Sequence, residues 1–421
     1  LRKKPSRNLS GITSITVITA PFPDGQTFSC KHNCYYCPNE PAHEGNNWTP
    51  QPRSYLYHEP GVRRANRHNF EAIGQMNDRM DTLFANGHPV DKLELILEGG
   101  TYAEFPMDYC DDYNRDIYYS ANTYFDPSPK REKLTLEEEI YINRTARVHI
   151  IGICIETRPD TLTREWIKHF RKCGVTRIQL GVQSTHNHIL KKINRGHTIE
   201  CAVEAMEYLR NLCFKIDIHI MPDLPGATPE ADKAMFNTIL NSDVLAPDQV
   251  KIYPTEIVPW TKIKKWHDEG VYKPYADEKP RLLVDVVKHA VKITPYYTRI
   301  SRIVRDIPLT YITGGNTCCN LRQVIQDELD NENFHTKDIR YREIGRHPHY
   351  RFKPTKYFVT KYYGSGAYEY FISLESRDRK ALFGFIRLRI PPKNHNPYFN
   401  TLLKKGLVRE LHVYNWIVPV N

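Results

Sequence analysis

Nowhere in its 421 residues does the chain carry a run of eighteen or so apolar residues, which argues against a membrane-spanning helix. The basic start Leu1-Arg2-Lys3-Lys4-Pro5 has no signal-type apolar core behind it, so secretion is not expected. No internal repeat and no low-complexity tail is present, which sets repeat arrays aside. Cysteine is not distributed as a disulfide framework: ten are spread along the chain and only Cys30, Cys34 and Cys37 are clustered. That usage fits a reduced, cytoplasmic protein. Acidic residues fall short of basic ones, 49 against 59, leaving a formal charge of +10. The excess favours a polyanionic partner, nucleic acid first, although unrelated enzymes can be as basic.

What is present is a long alternation of element signals. Residues 12–19 are rich in β-branched side chains and predict a strand. Residues 21–60 are dense in Pro, Gly, Asn and Cys and predict a long functional loop, followed by a helical pattern over 61–86. Strands are expected at 93–97, 149–155, 177–182, 215–220 and 249–252, and helices at 163–173, 199–211 and 229–241. This order predicts an α/β fold of parallel βαβ units closing into a full or partial barrel over residues 1–310, with its chemistry at the carboxyl ends of the strands. Residues 126–133 read as an exposed linker. Past residue 309 the pattern changes to strands at 357–362, 368–374, 382–390 and 407–413, the last three separated by turns. Residues 311–421 therefore read as a linker and a smaller, mostly antiparallel module.

Cys30-Lys31-His32-Asn33-Cys34-Tyr35-Tyr36-Cys37 has the spacing Cys-x3-Cys-x2-Cys on the loop after the first strand. Three thiolates this close can hold three irons of a 4Fe-4S cluster and leave the fourth open. An open iron can chelate the amino and carboxylate groups of S-adenosylmethionine (SAM) and pass one electron to its sulfonium. Zinc is the alternative occupant, with His32 or His43 as fourth ligand. Tyr36 and the place after strand one favour the cluster.

The remaining motifs also follow strands. Glu98-Gly99-Gly100-Thr101 lets a ligand approach the backbone, and in radical SAM enzymes a Gly-Gly pair here meets the SAM amino group. Glu156 in Glu156-Thr157-Arg158-Pro159-Asp160 suits the ribose or methionine part of SAM, or a pairing between Glu156 and Arg158. Gln183 and Arg195 complete the SAM set with Tyr36, Gly99, Gly100 and Thr101, Arg195 being aimed at the carboxylate. His197 reads equally as a packing residue and as a ligand. Arg299, Arg302, Arg305, Arg322, Arg340, Arg342 and Arg346, interleaved with Tyr296, Tyr297 and Tyr341, suit phosphate contacts and base stacking, or a solvated ion-paired face. Cys318 and Cys319 with His335, His347 and His349 are candidates for a second metal, zinc by ligand type.

In order along the chain, these motifs resemble the family of Elongator catalytic subunits, which modify the wobble uridine of tRNA. The matching segments are Cys34-Tyr35-Tyr36-Cys37-Pro38, Gly99-Gly100-Thr101, Gly152-Ile153-Cys154-Ile155-Glu156-Thr157-Arg158-Pro159-Asp160, Gly181-Val182-Gln183-Ser184 and Asn194-Arg195-Gly196-His197-Thr198. Met221-Pro222-Asp223-Leu224-Pro225-Gly226, Lys251-Ile252-Tyr253-Pro254-Thr255, Arg305-Asp306-Ile307-Pro308, Asn320-Leu321-Arg322, Arg342-Glu343-Ile344-Gly345 and Val408-Arg409-Glu410-Leu411-His412-Val413-Tyr414 continue the series. The resemblance implies a radical SAM partial (β/α) barrel joined to a GNAT-like acetyltransferase domain. It implies acetyl-CoA as source of a carboxymethyl group on C5 of the uridine, tRNA bound by Arg302, Arg305, Arg322, Arg340 and Arg342, and acetyl-CoA at Glu410, Leu411, His412 and Val413. Further Elongator-like subunits or a homodimer are the implied protein partners.

Members of that family continue past the last strand into a Gln-x-x-Gly-x-Gly loop that cradles the CoA pyrophosphate. This sequence reaches Val418-Pro419-Val420-Asn421 without one, so a partial acetyltransferase-like domain is expected. It starts almost at the family's Lys4-Pro5-Ser6-Arg7 stretch, so a short basic N-terminal arm is expected. Two alternatives stand beside this reading: another radical SAM enzyme, of porphyrin or methylthiolation type, and a tRNA-binding homologue without complete acetyl transfer. Protein or histone acetylation is a weaker one.

Overall fold

In the computed structural model the described residues are 11–392, 402 and 405–414. The basic start at 1–7 and the ending at 418–421 lie outside them. The chain divides into two compact units, residues 11–31 with 37–178, and residues 32–36 with those from 179 onward.

Seven strands carry the α/β part: β1 (Thr13–Ile18), β2 (Lys92–Glu98), β3 (His149–Thr157), β4 (Val175–Gln183), β5 (Lys215–Ile220), β6 (Gln249–Ile252) and, after the two-residue β7 (Glu256–Ile257), β8 (Arg299–Ile303). Their order is β1-β2-β3-β4-β5-β6-β8. The pairs β1–β2, β2–β3, β5–β6 and β6–β8 are parallel. In β2 every second residue, Leu93, Leu95 and Leu97, is fully buried, the period-2 pattern of a strand. From Arg177 onward β4 is buried on both faces, as a central parallel strand must be.

The helices of the first unit are α1 (Pro60–Arg67), α2 (Ala72–Ala85), α3 (Met107–Thr123), α4 (Leu136–Asn143) and α5 (Arg164–Lys172). The single helical pattern expected over 61–86 is thus two helices. Asn69 and Phe70 sit at φ 49° and 60°, a left-handed pair that ends α1. Phe70 is buried with Ile18, Tyr55, Val62 and Ala65, so packing secures the break. In the second unit α6 (Asn187–Lys192), α7 (Ile199–Asn211) and α8 (Pro229–Asn241) follow. Thr163, Thr198 and Thr228 cap α5, α7 and α8, each accepting a backbone N–H from the first turn. Those caps are why these helices start where the sequence says they should.

Past β9 (Gly314–Gly315) the second unit holds an antiparallel sheet in the order β10-β11-β12-β13: β10 (Thr355–Gly364), β11 (Ala367–Ser376), β12 (Leu382–Ile390) and β13 (Leu407–Val413). The sequence placed turns only between the last three strands. In fact Ser365 and Gly366, at φ 48° and 80°, join β10 to β11 as well, both left-handed as a tight hairpin prefers. Phe371, Leu382, Phe385 and Tyr414 pack with Ile339, Ile344 and Tyr350 to form this sheet's core.

A buried charge network runs through the same unit. Arg409 on β13 grips Asp248 with both guanidinium nitrogens at 2.6 and 2.7 Å and reaches Glu369 on β11 at 2.8 Å. Arg389 on β12 holds Glu369 from the other side at 3.0 Å. Arg387 pairs with Glu410 at 2.8 Å, and Lys215 on β5 does so at 2.9 Å. Burial would raise the Asp248 carboxyl, but Arg409 and Arg387 outweigh it and hold the group well below the usual carboxylate range. Glu410 is likewise drawn down to about 2, burial being overcome by Lys215 and Arg387. Among the described residues, no helix is long and apolar enough to cross a membrane.

Candidate active site

In the first unit the cysteine loop rests on the Gly-Gly turn after β2. The Thr101 N–H donates to the Ser29 carbonyl at 2.9 Å, and its hydroxyl lies 3.1 Å from Cys30 Sγ. Gly99 and Gly100 take φ of 124° and 78°. A Cβ on Gly99 would fall 2.3 Å from Thr19 Oγ1, and one on Gly100 would fall 2.1 Å from the Ser29 carbonyl oxygen. Only glycine permits the turn and the close approach at once. At the end of β3, Glu156 accepts a hydrogen bond from the Tyr55 hydroxyl at 2.9 Å. Arg158 is committed to Asp160, donating at 2.9 and 2.8 Å. His43 sits 3.0 Å from the buried carboxylate of Glu40 and makes a turn with Gly45 and Asn46. Both ring nitrogens are occupied there, against its use as a zinc ligand.

The second unit presents Cys34. The segment 32–36 is pinned by backbone bonds from Tyr35 N–H to Ile193 and from Ile263 N–H to Tyr35, both 3.0 Å, and by Asn194 donating to the Asn33 carbonyl at 2.8 Å. The Lys262 ammonium lies 4.0 Å from the centre of the Tyr35 ring, a cation–π contact. Arg195 then places one guanidinium nitrogen 3.5 Å from Cys34 Sγ. Its Nε donates to His197 Nε2 at 3.0 Å, while His197 Nδ1 faces the Thr198 carbonyl at 3.1 Å. His197 Nε2 also lies 3.2 Å from the Gly181 carbonyl, so His197, Arg195 and Gly181 share one cluster in which His197 helps position Arg195. Arg195 also bonds the Gly181 carbonyl, and a Cβ on Gly181 would come 2.5 Å from its terminal nitrogen. Gln183, at the end of β4 with φ 72°, gives its carbonyl to the Met221 N–H at 2.8 Å. Among the described residues, its side-chain Oε1 is buried without a hydrogen-bond partner, which leaves an acceptor for a ligand or water.

These features fit a three-cysteine iron–sulfur cluster with SAM. The donors are thiols, a guanidinium beside Cys34 compensates negative charge, the glycine turn admits a ligand to the backbone, and Gln183 offers a buried acceptor. Tyr36 is buried in the loop between the last two cysteines. Sequence reasoning missed Thr19, Ser29 and Tyr55, which back the glycines and Glu156, and no local motif marks them. It also missed a polar layer on adjacent strands, where Lys251 donates to Gln179 at 2.7 Å and His219 lies 3.0 Å from the same Gln179 oxygen.

The other expected sites fare unevenly. Arg342 is 1% exposed, ion-paired to Glu375 at 3.0 Å and donating to the Tyr296 and Lys337 carbonyls. It has no open face for a phosphate, which corrects that assignment. Arg322 and Arg340 bind the carbonyls of Ile300 and Ser301 beside β8, at 2.7 and 2.9 Å. Arg302 bonds the Val304 carbonyl and pairs with Asp306. Arg302 and Arg305 are both partly exposed. On β13, Glu410 is consumed by Arg387 and Lys215, correcting its assignment to acetyl-CoA, while Leu411 and Val413 are each 67% exposed. His412 packs against Tyr414 and Phe385, with ring centres 4.2 and 6.0 Å away. The second-metal set does not converge: His347 Nε2 is 2.7 Å from the Tyr341 carbonyl, His349 packs on Tyr350, and Cys318 lies against Asn320.

Comparison with known proteins gives the family of the chain. Residues 122–238 match the model of the radical SAM superfamily, and 247–331 that of the radical SAM C-terminal domain. A tRNA uridine(34) acetyltransferase of Methanocaldococcus infernus is 35% identical over 99% of this chain and 75% of its own length. Elongator complex protein 3 of Homo sapiens is 31% identical over 100% of this chain and 75% of its own. The solved archaeal Methanocaldococcus infernus Elp3 with an N-terminal deletion (1–46) aligns with a TM-score of 0.80 and 31% identity, covering 97% of this chain and 84% of that one.

Proposed function

Because the chain belongs to the family of tRNA uridine(34) acetyltransferases and Elongator complex protein 3, we propose that it is a radical SAM enzyme that modifies the wobble uridine of tRNA, building a carboxymethyl group at C5 from acetyl-CoA. The observation that carries this reading is a polar partner beside each of two cysteines, Thr101 at Cys30 and Arg195 at Cys34. When bound, a 4Fe-4S cluster and SAM supply a 5′-deoxyadenosyl radical, the hydrogen-abstracting agent of such enzymes.

Each residue has a role in that scheme. Cys30, Cys34 and Cys37 are the ligands, and Arg195, steadied by His197, offsets their negative charge. The backbone at Gly99 and Gly100 is assigned to the amino group of SAM, and Glu156, Tyr36, Thr101 and Gln183 are each assigned as further SAM contacts. Arg302 and Arg305 meet tRNA phosphates, while Arg322 and Arg340 shape that surface through β8. The exposed Leu411 and Val413, with His412, are the surface assigned to acetyl-CoA. The name of the human relative places it in a complex, and further subunits are proposed as partners here.

The test is anaerobic reconstitution, an iron and sulfide count, and a SAM cleavage assay with and without tRNA and acetyl-CoA. We expect about four irons per chain, deoxyadenosine formation stimulated by tRNA with acetyl-CoA, and loss of cleavage to background in Cys34→Ala. Protein that bound no iron, or a Cys34→Ala variant that still cleaved SAM, would overturn the reading.

A further inference from the structure

We propose that Asp111, His169 and Cys173 form a second, independent site for a divalent metal, preferring zinc, that clips α3 to the end of α5. All three belong to the first unit, and none lies in the cysteine loop. Asp111 stands in the first turns of α3, His169 in the last turn of α5, and Cys173 caps that helix four residues later. Residues four apart share a helix face, so imidazole and thiol point the same way.

The three ligand atoms converge. His169 Nε2 is 2.9 Å from Asp111 Oδ1 and 3.5 Å from Cys173 Sγ, and that sulfur is 3.8 Å from the same Asp111 oxygen. Zinc bonds of about 2.0–2.3 Å in a tetrahedron put ligand atoms roughly 3.3–3.7 Å apart. The set meets that spacing once the carboxylate and imidazole open by a few tenths of an ångström. Among the described residues, this is the group of His, Cys, Asp and Glu ligand atoms found within 4.8 Å of one another.

A hydrogen-bonded relay would be built otherwise. There the carboxylate and the thiol approach opposite ring nitrogens, so that the imidazole passes a proton between them. Here the carboxylate faces Nε2, and the sulfur lies nearer to Nε2, at 3.5 Å, than to Nδ1, at 3.9 Å, so Nε2, with one proton or one lone pair, can serve only one of them fully. A cation at the common vertex serves all three. Thiolate, imidazole and carboxylate together suit zinc. The second Asp111 oxygen is held by the Lys172 ammonium at 2.6 Å, which leaves Oδ1 as the ligand oxygen and sets a positive charge in competition with a metal for the same carboxylate. Trp166 and Tyr102 wall the imidazole, with ring centres 5.3 and 6.4 Å away. The partly exposed Asp111 side leaves the fourth position to water.

The test uses the full chain with Cys30, Cys34 and Cys37 all changed to Ala, so that the cluster ligands take no metal, and titrates it with Co2+. The expected result is one equivalent bound, with visible ligand-field bands and a thiolate-to-cobalt band in the near ultraviolet, both displaced by Zn2+. Cys173→Ser should remove the thiolate band, and Asp111→Asn should weaken binding by about tenfold or more. Lys172→Met keeps every ligand and removes a competing cation, so it should tighten binding. Absence of the thiolate band from both the parent and the K172M protein, each folded by circular dichroism, would overturn the proposal. So would a band that persists unchanged in folded Cys173→Ser.

Discussion

Gly100 shows how little freedom the cysteine loop has. Alanine there must adopt a left-handed φ of 78° and place a methyl 2.1 Å from the Ser29 carbonyl oxygen. Strain and overlap together should cost about 2–4 kcal/mol. Gly100→Ala should therefore lower the urea midpoint and the iron content of reconstituted protein together, whereas Gly87→Ala, with open space around its Cβ position, should leave iron content unchanged. The thiols, the glycines, Gln183 and Arg195 were legible in the sequence because their chemistry lies in residue type and short spacing. Arg342 and Glu410 misled because burial is a tertiary property: their partners Glu375, Arg387 and Lys215 are contributed by other strands and segments. Tyr55 was invisible for the same reason, lying 101 residues from the Glu156 it bonds.

At the level of elements, β13 is held both by its pairing with β12 and by Arg409. Arg409→Met would leave Asp248 and Glu369 buried beside fewer cations, and breaking such a pair costs about 3–5 kcal/mol. The expected outcome in urea titration is a lowered midpoint for the second unit, with Arg409→Lys intermediate because it keeps charge but loses the two-pronged grip. The strands and helices with clean periodicity were read to within a residue or two. Several elements escaped, α3, α4, α6 and β8 among them. Helix α3 buries Cys110, Tyr113, Asn114, Ile117, Tyr118 and Ala121 at helical spacing, but a face built of Tyr, Asn and Cys does not register as an apolar stripe. Strand β8, Arg-Ile-Ser-Arg-Ile, was read only as a basic stretch, although Ile300 and Ile303 are buried.

For the whole molecule, the buried ion pairs set its response to acid. Glu410 is drawn from an ordinary carboxylate value down to about 2 by its cations, so the folded state binds the proton less tightly than the unfolded chain. Its contribution is fully present above about pH 5 and is lost as pH falls toward 2, amounting to roughly 3 kcal/mol at neutral pH. Asp248, also held low, adds to the same loss. Thermal melts at low salt should show the melting temperature falling steeply as pH drops below 4.5. In Glu410→Gln the acid slope should be shallower.

The Arg409–Asp248 grip also has a consequence for synthesis. The two residues are 161 positions apart, and ribosomes add roughly 5–20 residues per second. For about 8–30 seconds on that scale, Asp248 has left the ribosome while its guanidinium has not yet been made. During that interval the carboxylate must stay hydrated, so β6 cannot settle into its final surroundings. Until β13 emerges, the nascent second unit would carry this carboxylate without its Arg409 partner.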